Sequence, residues 1–166
     1  MKLTQTALPF KSKKRLRPGK SAGRSDTALR LIWENLVERF FPTHQELYSY
    51  TIIWSNRNQK RTLASCSIER KIVRVAKELN HPKFFGWVEP LLYHEMCHAV
   101  LKDNVYSINS RKQWHGPQFK ALEKRHPLCA KLDEWIRSGG WLSAIRSHRS
   151  REYHKRLKKS LRVSQG

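Results

Sequence analysis

The segment LLYHEMCHAVL, residues 91–101, sets two histidines and a glutamate inside an otherwise apolar run. At 100° per residue Trp87, Leu91, His94, His98 and Leu101 share one face. Val88, Leu92, Met96 and Ala99 cover a second, and Tyr93 and Val100 a third. The pattern predicts a helix from about residue 87 to 102 that is apolar nearly all round, with Pro90 tolerated in its first turn. Such a helix belongs in the middle of a domain, and the rest of the chain has to wrap around it. Burying two imidazoles and a carboxylate there is unfavourable unless they are satisfied, and one bound cation satisfies all three.

The spacing makes this concrete. Residues i and i+4 are helix neighbours, so His94 and His98 can both reach one tetrahedral Zn²⁺ at about 2.0–2.1 Å. Glu95 is turned about 100° from His94, which suits it less as a ligand than as a base for the water at the ion. This is the His-Glu-x-x-His arrangement of zinc peptidases, and random order in a chain of this composition produces it about 0.02 times. Cys97 inside the motif points away and reads as core filler. A third ligand is required. A glycine three residues after the second histidine would extend the motif to the metzincin form, but Leu101 stands there. His115, in WHGPQF, is the preferred third ligand because Gly116 and Pro117 turn the chain at the mouth of the next helix. Glu123 and His126 compete, and Glu123 reads as a solvated charge in a lysine-rich helix.

The remaining elements come from periodicity and punctuation. SDTALRLIWENLVERFF predicts an amphipathic helix capped by Asp26, with Leu29, Ile32, Leu36 and Phe40 inward and Pro42 as its stop. YSYTIIW and RTLASCSI are strand-like and separated by the turn signal SNRNQK, and KIVRVAK is a shorter third candidate, so a small antiparallel sheet is expected. Residues 103–114 read as a polar loop, GPQFKALEKRH as a short helix, and residues 128–146 as one or two helical pieces broken at Gly139 and Gly140. HRSREYHKRLKKSLR is readable as a basic helix or as a disordered tail. The fold class is α+β, divided into a basic arm (1–24), one domain (25–146) and a basic tail (147–166). No apolar run approaches the ~20 residues of a membrane span. The three cysteines, Cys66, Cys97 and Cys129, encode neither a disulfide framework nor a zinc ribbon and point to a reducing compartment.

The chain of 166 residues has 34 Lys and Arg against 13 Asp and Glu, a net +21. Residues 11–30 and 144–166 each carry +7 of that excess. A polyanion is the natural partner of such segments, nucleic acid first and an anionic membrane second. Lys13, Lys14, Arg15 and Arg17 in the first and Arg156, Lys158 and Lys159 in the second are the candidate contacts. The competing reading is a non-enzymatic nucleic-acid-binding protein whose zinc is structural. Interleaved aromatic and basic residues, Trp114, Lys120, Arg125, Trp135, Arg137, Trp141 and Arg146, would stack on and neutralise a strand. Glu95 argues against it, since a closed histidine site needs no adjacent carboxylate.

LLYHEMCHAVL followed by WHGPQFKALEKRHP resembles the SprT-like zinc metallopeptidases, the family that includes the Spartan DNA-damage proteases. IIWSNRNQKRTLASCSI resembles that family's strand pair ahead of the active-site helix, and ALRLIWENLVERFF stands where its first helix is expected. The resemblance spans roughly residues 26–127. It implies a zincin-like core with flanking helices, zinc on His94, His98 and His115, and Glu95 as catalytic base. It also implies protein substrates, proteolysis of DNA-attached proteins, and a location in the cytoplasm, at the nucleoid, or in the nucleus of a eukaryotic cell. A monomer is expected. The cysteine zinc ribbon that many relatives carry after the core does not occur in this sequence, which leaves the basic terminal segments as the expected DNA contacts.

Overall fold

A computed structural model describes residues 25–102, 107–108 and 111–163. The expectations for residues 1–24, and with them Lys13, Lys14, Arg15 and Arg17, fall outside the described residues.

The first helix, α1 (Thr27–Phe40), starts where Asp26 accepts the Leu29 N–H at 3.1 Å. The cap satisfies one of the amide donors a helix start leaves open. Its buried stripe is Leu29, Trp33, Leu36 and Val37, while Ile32 and Phe40 are only partly buried. The indole of Trp33 reaches the Leu47 carbonyl at 2.9 Å and draws the 3₁₀ turn Gln45–Ser49 against the helix.

Three strands follow: β1 (Thr51–Trp54), β2 (Ala64–Ser67) and β3 (Ile72–Val75). The expected antiparallel sheet is corrected here, because the order is β1-β3-β2, with β3 parallel to β1 and antiparallel to β2. SNRNQK therefore does not close a hairpin between β1 and β2. The burial pattern matches this order: β3 (IVRV) has three buried residues out of four and occupies the centre, where both edges are paired. β2 (ASCS) has none fully buried and takes an outer edge. Along the strands Ile52, Val73 and Val75 face the core, while Ile53, Arg74 and Ser65 align on the outer face.

The central helix is α3 (Val88–Leu101), as the apolar pattern predicts, with Val88, Leu92, Tyr93, Met96, Cys97 and Ala99 fully buried. It packs against α1, β2, α4 (Pro117–Glu123) and α5 (Cys129–Arg137). The one-turn helix α2 (Pro82–Phe85) precedes it, and Trp87 at its start stacks on Trp135 of α5 with centroids 5.1 Å apart. Within the expected polar loop lies a two-residue ribbon, β4 (Ser107–Ile108) against β5 (Arg111–Lys112).

The C-terminal segment is one helix, α6 (Gly140–Val163), so the break at Gly139 and Gly140 separates α5 from α6. Gly139 has φ +89°, a left-handed conformation that favours glycine, and a Cβ on Gly140 would collide with the Trp135 indole. α6 is anchored by Trp141, Ala144, Ile145 and His148 and continues past residue 146 without a break. Its last turns expose Tyr153, Leu157, Leu161 and Val163 together with Arg156, Lys158 and Lys159. Among the described residues no helix is long and apolar enough to cross a membrane.

Candidate metal centre and cleft

Three imidazoles converge at one point. His94 and His98 project from successive turns of α3, and His115 reaches them from the turn before α4, where Gly116 and Pro117 start the helix. One ring nitrogen from each lies within 4.8 Å of the others, and His98 Nε2 is 3.1 Å from His115 Nε2. An ion with ligands at 2.0–2.1 Å in a tetrahedron separates them by roughly 3.3–3.4 Å, so the triad is close to the spacing Zn²⁺ requires. Phe119 on α4 packs against all three rings, with centroids at 4.9, 4.4 and 4.8 Å from His94, His98 and His115. It is 1% exposed and forms the apolar floor of the triad.

Glu123 is not the solvated charge that the lysine-rich run suggests. Its carboxylate accepts a hydrogen bond from His94 Nδ1 at 2.6 Å, which turns Nε2 of that ring toward the other two histidines. Carboxylates in this place orient metal-binding histidines and raise their basicity. A signal for it exists in the sequence: Phe119 and Glu123 are i and i+4 on α4 and share one face. His126, the other competitor, is 2% exposed and turned away from the triad, with Nε2 3.3 Å from Glu89, which also accepts from Arg39 at 2.9 Å.

The electrostatics suit ligation. Burial, assisted by the neighbouring His94 and His115, pushes His98 down to about 4, so its imidazole is neutral with a free lone pair near pH 7. Burial and His94 likewise hold His115 below the usual histidine value. Burial acts on His94 in the same direction, but the Glu123 hydrogen bond and the charges of Glu95 and Glu123 outweigh it and raise it. The His94 contact in turn holds Glu123 below the usual carboxylate range.

Glu95 is 6% exposed and makes no hydrogen bond to another described residue. It opens into a cleft of about 690 Å³ lined by β2 and the turn after it, by His94, His98 and His115, and by Trp114 at the rim. Burial raises Glu95 to about 7, against the opposing effect of His94. Among the described residues β2 pairs only with β3, and its second edge borders the cleft. Of the other sequence candidates, Trp141 is 6% exposed and donates to the Lys60 carbonyl at 3.3 Å. Arg125 donates to the Phe40 carbonyl at 3.0 Å, and Trp135 packs on the core, so among these tryptophans Trp114 is the one set at an open surface, 41% exposed. Sequence reasoning gave Trp114 no place at the metal site, and its position next to His115 was the available hint.

A helix-borne His-Glu-x-x-His completed by a histidine from the next helix entry is the frame of a metallopeptidase-like protein. The SprT-like family model matches residues 29–132, from α1 to α5, and the chain belongs to that family. Among solved structures, the crystal structure of the metallopeptidase zymogen of Methanocaldococcus jannaschii jannalysin is similar, with a TM-score of 0.47 and 20% identity. That match covers 66% of this chain and 94% of the other. No curated protein matches the chain.

Proposed function

We propose that the chain is a zinc-dependent endopeptidase acting on DNA-associated or DNA-crosslinked proteins, with His94, His98 and His115 holding the metal and Glu95 as general base. The observation that carries this reading is the convergence of three imidazole nitrogens beside a buried carboxylate that opens on the same cleft. Zinc, when bound, supplies Lewis-acid polarisation of a carbonyl and acidifies a water at its open position. The chain's residues do the rest. The edge of β2 that borders the cleft accepts an extended peptide by strand addition, its backbone groups fixing the peptide over the three histidines. Leu63, Leu91, Leu132 and Ile136, together with Arg61 and Asp133, line a second cavity of about 290 Å³ beside His94 and Glu95, where a substrate side chain would sit. Glu95 takes a proton from the attacking water and returns it to the leaving amine nitrogen. The terminal basic segments, the 1–24 arm and the tail from 147, bring the domain to DNA through Arg156, Lys158, Lys159 and their N-terminal counterparts.

The test uses purified wild type, Glu95→Gln and His115→Ala, with metal analysis followed by digestion of an unfolded protein such as casein with and without DNA. Glu95→Gln should keep its zinc and lose at least ~10²–10⁴-fold in kcat. His115→Ala should lose zinc. A Glu95→Gln protein that cleaves at the wild-type rate overturns the mechanism. Zinc bound at the triad with no proteolysis of any substrate would favour a structural metal in a nucleic-acid-binding protein.

A further inference from the structure

The basic charge outside the two terminal segments is not spread evenly. Residues 55–77 contain Arg57, Lys60, Arg61, Arg70, Lys71, Arg74 and Lys77 against Glu69 alone, a net +6. The stretch runs from the end of β1 through β2 and β3, and its middle, residues 64–69, lines the cleft. Five of its basic residues are exposed, while Arg74 and Lys77 are half-buried. Lys77 Nζ is occupied by the Asn56 carbonyl at 2.8 Å.

Arg74 differs from the rest. It sits mid-way along the central strand on the outer face, between Ile53 and Ser65 in register. Its guanidinium makes no hydrogen bond or ion pair with any described residue. A half-buried arginine normally has an acidic or carbonyl partner. The neighbouring carboxylates do not serve: Glu78 is buried and holds the Gln59 N–H at 2.6 Å, and Glu69 lies on the cleft side of β2. Arg74 instead lines a small cavity of about 80 Å³ with Ser55, Gln59, Thr62 and Ser65. The hydroxyls of Thr62 and Ser65 also have no partner among the described residues.

We propose that Arg74, with the Thr62 and Ser65 hydroxyls, forms a subsite for one backbone phosphate of nucleic acid on the outer face of the sheet. A planar fork of donors flanked by hydroxyls matches a phosphate group. The cavity is too small for a base, and none of its lining residues is aromatic, so the contact reads the backbone and not the sequence. Arg57, Lys60 and Arg61 extend the positive surface along the strand direction, where further phosphates would lie. Ala64 and Ser65 line both this cavity and the catalytic cleft, on opposite sides of β2. Nucleic acid held here would pass one strand from the three histidines, which places a protein attached to it in reach of Glu95. The inference deepens the DNA-associated substrate reading and rests on it.

The test is fluorescence anisotropy of the full chain on a duplex DNA of mixed sequence, between about 50 and 200 mM salt, with a second sequence of equal length. Arg74→Gln should weaken binding about 3- to 10-fold at low salt, lower the slope of log K against log[salt] by about 0.9, and do so equally on both sequences. Gln59→Glu, which sets a carboxylate beside the guanidinium without touching the strand, should weaken binding similarly, and Arg74→Lys should restore part of the affinity. Zinc content and melting temperature of each variant report folding. Wild-type affinity and slope in both Arg74→Gln and Gln59→Glu overturn the subsite while leaving the DNA reading in place. Absence of salt-dependent DNA binding by wild type overturns both. An Arg74 dependence seen on phosphatidylserine vesicles but not on DNA also rejects it.

Discussion

Glu123 shows how far a single residue can be judged from sequence neighbours. Surrounded by Lys120, Lys124 and Arg125, it reads as a solvated charge, yet two helical turns carry it back to the imidazole of His94. His94, Glu95 and His98 were legible because the two histidines stand one helical turn apart. His115 was legible because Gly116 and Pro117 mark a chain reversal. Glu123 was hidden because its partner lies 29 residues away and only the shared face with Phe119 points to it. Replacing Glu123 by Gln should weaken zinc binding by about 10- to 100-fold in a chelator competition, with the melting temperature of the metal-free protein little changed. As the proposed base, Glu95 would set the pH response. It must be ionised to accept a proton, and burial raises it to about 7. Activity should therefore climb as pH rises through that titration, and the positive charge of bound zinc moves the climb below it. A pH profile of kcat/KM checks the direction; a rate that falls as pH rises from 5 to about 7 would contradict the assignment.

At the level of elements, helices were more legible than the sheet. The boundaries of α1, α3 and α4 follow from Asp26, the apolar run after Trp87, and Pro117. Strand existence was equally readable, but pairing order was not, because alternation reports which face a residue occupies and says nothing about which strand lies beside it. The most buried of the three strands took the centre although it comes last of them in the chain. The α5–α6 corner tests a second local rule. Gly140→Ala should cost about 1–3 kcal/mol in urea unfolding, since its Cβ has no space beside Trp135. Asp26→Ala should cost about 1 kcal/mol by loss of the α1 cap. Equal urea midpoints for wild type and Gly140→Ala would show that the Trp87–Trp135 stack yields more readily than its packing suggests.

Across the whole molecule, composition raises the expectation of a polyanionic partner, and the fold distributes the charge that would meet it. The tail is a continuation of an anchored helix: His148 is still buried, whereas beyond residue 150 most side chains are exposed. A chain ending at Ser150 should keep its zinc and melt within a few degrees of wild type, yet bind DNA more weakly. Its salt slope should be shallower by about 0.9 for each phosphate that the tail no longer neutralises. Undiminished DNA affinity in that truncation would remove the tail from the account. The strand order has a last consequence, for biosynthesis. β1 and β2 emerge from the ribosome before the strand that joins them, and a nascent chain exposed only to a point short of residue 72 has two strands with unpaired edges and no sheet. Until β3 slides between them, that stretch exposes unpaired backbone to chaperones, and a pause once the third strand has emerged would give it time to close.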